Sequence, residues 1–180
     1  MASDVFEQAY LIERIASFLH PVETIPFRLL SRATLAAIPR EKLWKKEDLL
    51  IKGAELGSTV LCVMAKEAGA TDWDWMLRYA AEGGHRGICI LAKEWGATKW
   101  DLMLAYAAEG GHRGICILAK EWGADGWNSM LTYAAKGGHR GLCILAKEWG
   151  ANEWDWMLAY AVKGRHYAVA DLAIAWGASR

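Results

Sequence analysis

The chain lacks a surplus of either charge, since 21 basic side chains are matched by 21 acidic ones over 180 residues. The balance is also local, with seven of each sign in the first 50 residues and fourteen of each in the remaining 130. Binding to a phosphate backbone relies on a basic excess, so a nucleic-acid partner is not expected. No apolar run approaches the ~18 residues of a membrane span, and no basic-then-apolar segment at the N-terminus suggests secretion. The expectation is a soluble cytoplasmic protein without a membrane partner. No glycine-rich loop follows a strand as a phosphate cradle would, and no serine is paired with a histidine in a nucleophile setting. The neighbours Lys93-Glu94, Lys120-Glu121 and Lys147-Glu148 read as solvated charges, not acid–base pairs. Neither catalysis nor a cofactor is expected.

What the chain has is repetition. A 27-residue unit runs four times, over Thr71–Ala97, Thr98–Ala124, Asp125–Ala151 and Asn152–Ala178, and a weaker copy occupies 47–70. Self-similarity at a fixed period of this length signals a stacked solenoid, in which each unit buries its apolar face against its neighbours. The four cysteines, Cys62, Cys89, Cys116 and Cys143, fall one per unit. Equivalent positions on stacked helices lie roughly 8–10 Å apart, beyond the ~7 Å between Cα atoms that a disulfide spans. They read as small buried hydrophobes. His-x-x-x-Cys recurs at His85–Cys89, His112–Cys116 and His139–Cys143. Each pair supplies only two of the four ligands of structural zinc, so no metal is expected.

Within Thr98–Ala124, Asp101 begins a first helix, and its column of Asp74, Asp101, Asn128 and Asp155 suits an N-cap. Met103, Leu104, Ala107 and Ala108 form an apolar stripe of helical period, and Gly110-Gly111 ends it. A second helix runs from about Arg113 to Trp122, with Ile115, Cys116, Leu118 and Ala119 inward and Gly123 closing it. Two short helices per unit leave no room for a strand. Ala107-Ala108-Glu109-Gly110-Gly111-His112, Ile115-Cys116, Leu118-Ala119 and Gly123-Ala124 resemble the ankyrin repeat. The unit is shorter by the six residues that would form the β-hairpin. The expected fold is therefore all-α, a helical-repeat solenoid of ankyrin-like helix-turn-helix units without hairpins, spanning 47–180. The resemblance implies that the repeat histidine hydrogen-bonds locally at its turn.

Trp73, Trp100, Trp127 and Trp154 stand one residue before each first helix. They read as a column of indoles stacking from loop to loop in place of the hairpins, or as an aromatic contact strip. Positions that differ between copies are free to carry specificity. On the first helix these are Trp75/Leu102/Ser129/Trp156, Arg78/Ala105/Thr132/Ala159 and Glu82/Glu109/Lys136/Lys163. Spacings of three and four place them on one face. The ankyrin resemblance implies that this face lines a concave groove, so a protein target is expected at Trp75, Arg78, Glu82, Leu102, Glu109, Ser129, Thr132, Lys136, Trp156 and Lys163. Ile90, Ile117 and Ile144 form another column on the second helix, replaced by Asp171 in the last unit. It is either an exposed contact surface or is covered by neighbouring tryptophans.

Residues 1–46 lie outside the period. Leu11, Ile12, Ile15, Phe18 and Leu19 make an amphipathic helix stopped by His20-Pro21, and further helical stretches carry Phe27, Leu29 and Leu30, then Leu43-Trp44. Leu11 to Pro21, Arg28 to Arg32 and Leu43-Trp44 resemble an F-box, a three-helix motif that docks on the adaptor subunit of cullin-type ubiquitin ligases. The resemblance implies docking through Leu11, Ile12, Ile15, Phe18, Leu19 and Leu30. An F-box joined to ankyrin-like repeats resembles proteins of large DNA viruses, which implies a host cytoplasm or nucleus as the location. The expected function is substrate recognition for such a ligase. The alternative is a plain binding scaffold whose N-terminal helices cap the array. A third reading, nucleic-acid binding through Arg86, Arg113 and Arg140 with interleaved tryptophans, is weakened by the zero net charge.

Overall fold

The structure, a computed structural model, describes residues 45–179. The expected N-terminal module, with Leu11, Ile12, Ile15, Phe18, Leu19 and Leu30, lies outside the described residues. Ten helices follow one another: α1 (Lys46–Glu55), α2 (Thr59–Glu67), α3 (Trp73–Glu82), α4 (Arg86–Trp95), α5 (Trp100–Glu109), α6 (Arg113–Glu121), α7 (Trp127–Lys136), α8 (Arg140–Trp149), α9 (Trp154–Lys163) and α10 (Tyr167–Ala175). No strand occurs among the described residues. The described residues form an all-α array of five helix pairs.

Helices of nine or ten residues are marginal alone in water, so packing must hold them. In α5, Met103, Leu104, Ala107 and Ala108 are fully buried, and Met76, Leu77, Ala80 and Ala81 of α3 are buried in the same way. The second helices turn in Ile88, Cys89 and Ala92, or Ile115, Cys116, Leu118 and Ala119. Paired alanines let neighbouring first helices approach closely, and α1, α3, α5, α7 and α9 pack each on the next. The second helices rest on the first helix of their own unit and touch one another far less. The array is therefore tighter on its first-helix side, which forms the inner face.

Three kinds of interlock recur between neighbouring units. The first corrects the N-cap expectation. Helices begin one residue earlier, at the tryptophan, so Asp74, Asp101, Asn128 and Asp155 lie inside the first turn and do not cap it. Their side chains reach the following unit instead. Asp74 Oδ1 accepts from the backbone N–H of Thr98 and Lys99 at 2.8 and 3.1 Å. Asp101 Oδ1 accepts from Asp125 and Gly126 at 3.0 and 2.9 Å. Asn128 Oδ1 accepts from Asn152 at 2.9 Å, and Asp155 Oδ1 from Ser179 at 2.6 Å. Each of these side chains satisfies backbone N–H groups in the loop that follows its unit.

The second interlock corrects the local role expected for the histidines. His85, His112 and His139 donate from Nε2 to the carbonyls of Glu55, Glu82 and Glu109 in the preceding unit, at 3.0, 2.9 and 2.8 Å. Those carbonyls end first helices and have no intrahelical partner. Each ring is seated by glycine. A Cβ on Gly110 would fall 2.7 Å from His112 Cδ2, and one on Gly111, whose φ is +83°, would fall 2.6 Å from His139 Cε1. Only glycine admits both the left-handed turn and the next unit's imidazole.

The third interlock corrects the loop-to-loop indole column. Trp73 does not stack on Trp100; it pairs edge to face with Trp95 of its own unit, centroids 5.1 Å apart at 68°. Trp100–Trp122, Trp127–Trp149 and Trp154–Trp176 repeat this geometry. Lysines join the pairs across units: Lys66 lies 4.3 Å over Trp95, Lys93 4.2 Å over Trp122, Lys120 4.3 Å over Trp149 and Lys147 4.3 Å over Trp176. These are cation–π contacts of exposed lysines, worth ~0.5–1 kcal/mol each.

The four cysteines are free and buried, and burial pushes their thiols from 9.0 up to about 12. A thiol-specific reagent at pH 8 should therefore label none of the four in the native chain and all four in guanidinium. Unfolded thiols ionise near 9 while folded ones keep their protons, so stability should fall as pH rises from 9 towards 12, read from denaturant midpoints. Asp101→Ala should lower stability by about 1–3 kcal/mol. Asp101→Asn should stay close to the parent, because Asn128 already performs the same role in the next unit; thermal unfolding of the two variants checks this.

Candidate functional site

The inner face is built from first-helix positions i, i+3, i+4 and i+7, starting at Trp75, Leu102, Ser129 and Trp156. The structure brings all ten expected residues onto this one face, although their surroundings differ. Trp75 is 43% and Trp156 58% exposed, the most open tryptophans among the described residues. Ser129, Lys136 and Lys163 are exposed, while Leu102, Arg78, Glu82, Glu109 and Thr132 are half-buried. Thr132 Oγ1 donates to the carbonyl of Asn128 at 2.9 Å, so its donor is already spent within α7.

At the centre, the Arg78 guanidinium lies against three rings: Tyr106 at 4.1 Å, and Trp75 and Tyr79 at 4.8 Å each. Its Nε is shielded from solvent and finds no hydrogen-bond partner among the described residues. Tyr106 meets Tyr133 edge to face at 5.2 Å. Burial, followed by the hydrogen bond with Tyr133, pushes the Tyr106 hydroxyl above its ordinary range. Glu109 Oε1 pairs with Lys136 Nζ at 2.6 Å, bridging α5 and α7, and this bond holds the lysine above its usual range. Glu109 Oε2 is buried and unpartnered among the described residues. Two shielded polar atoms thus sit in the middle of the face, each short of a bond that is costly to leave unmade.

Tyr79, Tyr106, Tyr133 and Tyr160 are invariant between units, which marks them as structural by the logic of internal variation. The structure places them among the variable residues, half-buried and lining the same face. Helical spacing carried that signal, since Tyr79 is four residues beyond Trp75 and one beyond Arg78. A cleft of about 550 Å³ opens where the N-terminal ends of α3 and α5 meet. Trp75, Trp100 and Leu102 supply its apolar wall, and Asp72, Asp74 and Asp101 its acidic one.

Elsewhere, His85 turns to the Glu55 carbonyl while Cys89 is buried in the core, so the two do not converge. No group of three or more potential metal ligands occurs among the described residues, and no described helix is long and apolar enough to cross a membrane. No protein-family model matches the chain, nor does any curated protein.

Arg78→Ala removes the cation from all three rings and should destabilise the array by about 1–2 kcal/mol. A shift in the emission of the exposed Trp75 at unchanged helicity would locate the effect on this face.

Proposed function

We propose that the chain is a non-enzymatic protein-binding adaptor that captures a target on the inner face of its repeat array. The observation that carries this is the exposure of Trp75 and Trp156, large aromatics left open on the face where the units differ. Tryptophan and arginine recur as energetic anchors of protein interfaces, and both stand here beside tyrosines and shielded polar atoms awaiting partners. The N-terminal sequence extends the proposal. Its F-box-like residues Leu11, Ile12, Ile15, Phe18, Leu19 and Leu30 would dock on the adaptor subunit of a cullin-type ligase, making the array the target-holding part of the assembly. The mechanism would then be proximity, with no covalent step on this chain.

Co-purification with the ligase adaptor subunit tests the extension. The full chain should retain the subunit, and a chain beginning at Trp44 should not; failure of both leaves a capped binding scaffold. For the groove, Trp75→Ala with Trp156→Ala should abolish target capture, by at least roughly 2 kcal/mol for an anchor of this kind, with helicity kept and only a small drop in melting temperature from the lost Arg78 contact. Unchanged capture by that double variant would remove the inner face from the proposal.

A further inference from the structure

On the opposite side of the array a second pattern stands apart from the groove. In α4 the buried residues Ile88, Cys89 and Ala92 point inward. Arg86, Ile90 and Glu94, spaced by four, form a row on the reverse of the helix. The row recurs as Arg113, Ile117 and Glu121 on α6, and as Arg140, Ile144 and Glu148 on α8. All six charged residues are exposed, Ile90 and Ile117 are 37% and 38% exposed, and Ile144 is half-buried. The paired tryptophans and their lysines leave Ile90 and Ile117 of this column open to solvent. In α10 all three members are replaced together, by Tyr167, Asp171 and Ala175.

The fold itself gives no reason for the row. None of its charges makes an ion pair among the described residues. A cation at the helix start and an anion at its end oppose the helix dipole. Gly87, Gly114 and Gly141 lie beside the row, and a Cβ there would meet nothing within 4 Å, although alanine is the better helix former. Across the same three units the first-helix residues of the inner face have diverged, as in Trp75/Leu102/Ser129 and Arg78/Ala105/Thr132. Both halves of a unit were copied together, so duplication alone would leave both equally alike. The outer rows are held constant by something outside the chain's own packing.

We propose that this outer face is the interface of a homodimer. Three parallel columns, positive, apolar and negative, are self-complementary under a two-fold axis running along the array. That rotation keeps unit order and reverses helix direction. Each of α4, α6 and α8 then faces its own copy antiparallel, isoleucine column on isoleucine column. Arg86, Arg113 and Arg140 of one chain lie over Glu94, Glu121 and Glu148 of the other, in both directions. The contact also turns the unfavourable charges into favourable ones, because each arginine meets the C-terminal end of a facing helix. The bare glycines let the two backbones approach. The patch measures roughly 12 Å along each helix and about 30 Å across three helices. About 400 Å² per partner, roughly 800 Å² in all, is below the standard size of stable interfaces, so the dimer is a weak and reversible one whose specificity comes from charge complementarity.

Sedimentation equilibrium of the full chain over a rising concentration series tests this. A reversible dimer is expected, and Ile117→Asp should leave only monomer. The set Arg86→Glu, Arg113→Glu, Arg140→Glu should weaken self-association by roughly tenfold or more, as should the set Glu94→Arg, Glu121→Arg, Glu148→Arg. Both sets improve the match to the helix dipole, so loss of the dimer would not come from unfolding, and circular dichroism verifies that. Mixing the two charge-reversed chains should restore a heterodimer. A wild-type chain that stays monomeric throughout overturns the proposal, as does a dimer indifferent to charge reversal or a mixture that does not reassociate. The groove pair Trp75→Ala and Trp156→Ala should leave the dimer intact, so the two surfaces succeed or fail separately.

Discussion

The distance between consecutive first helices is the constraint on which the structure depends. Everything that joins one unit to the next works only at that spacing. The His112 ring reaches the Glu82 carbonyl, the Asp101 carboxylate reaches the loop of the following unit, and Lys93 reaches Trp122. The buried Ala107-Ala108 pair sets how closely the helices approach, and Gly110-Gly111 clears the place that the imidazole occupies. An ordinary side chain at Gly111 would collide with the next histidine and also need a backbone conformation that L-residues avoid. The last unit illustrates the point, because Arg165, at φ 61°, holds the equivalent left-handed position where no described histidine faces it.

The same spacing serves the loops between helix pairs. Loop N–H groups left unpaired are rarely tolerated in a folded protein. Asp74, Asp101 and Asn128, in the first turns of α3, α5 and α7, each accept two of them. Tryptophan pairs bridged by lysines cover the same side, adding aromatic area and cation–π contacts. Function is then free to use the two faces that these interlocks leave alone. The inner face varies between units and holds open tryptophans, whereas the outer one is constant and charged in ordered columns.

Much of this was legible in the chain. The stripe Met103, Leu104, Ala107, Ala108 has helical period, and the structure buries all four. The ten inner-face residues share a face because spacings of three and four dictate it. What sequence reasoning misplaced were roles that depend on partners in another unit. Asp101 looks like an N-cap because capping is a rule about neighbours in sequence, yet its partners lie 24 and 25 residues on. The histidines look local for the same reason, with the bonded carbonyl 30 residues back. Invariance marked Tyr79, Tyr106, Tyr133 and Tyr160 as structural, but an aromatic residue can stack against a neighbour and line a surface at once.

By itself, then, the sequence determined the period, the helix pairs and the identity of each buried stripe, since these follow from local spacing and side-chain chemistry. Only the tertiary structure decided which indole meets which, where each carboxylate and imidazole finds its partner, and that Ile90 and Ile117 stay open to solvent. Those outcomes rest on the separation and tilt of stacked helices. A 27-residue repeat states that units are alike, but the packing of alanine against alanine sets how far apart they stand.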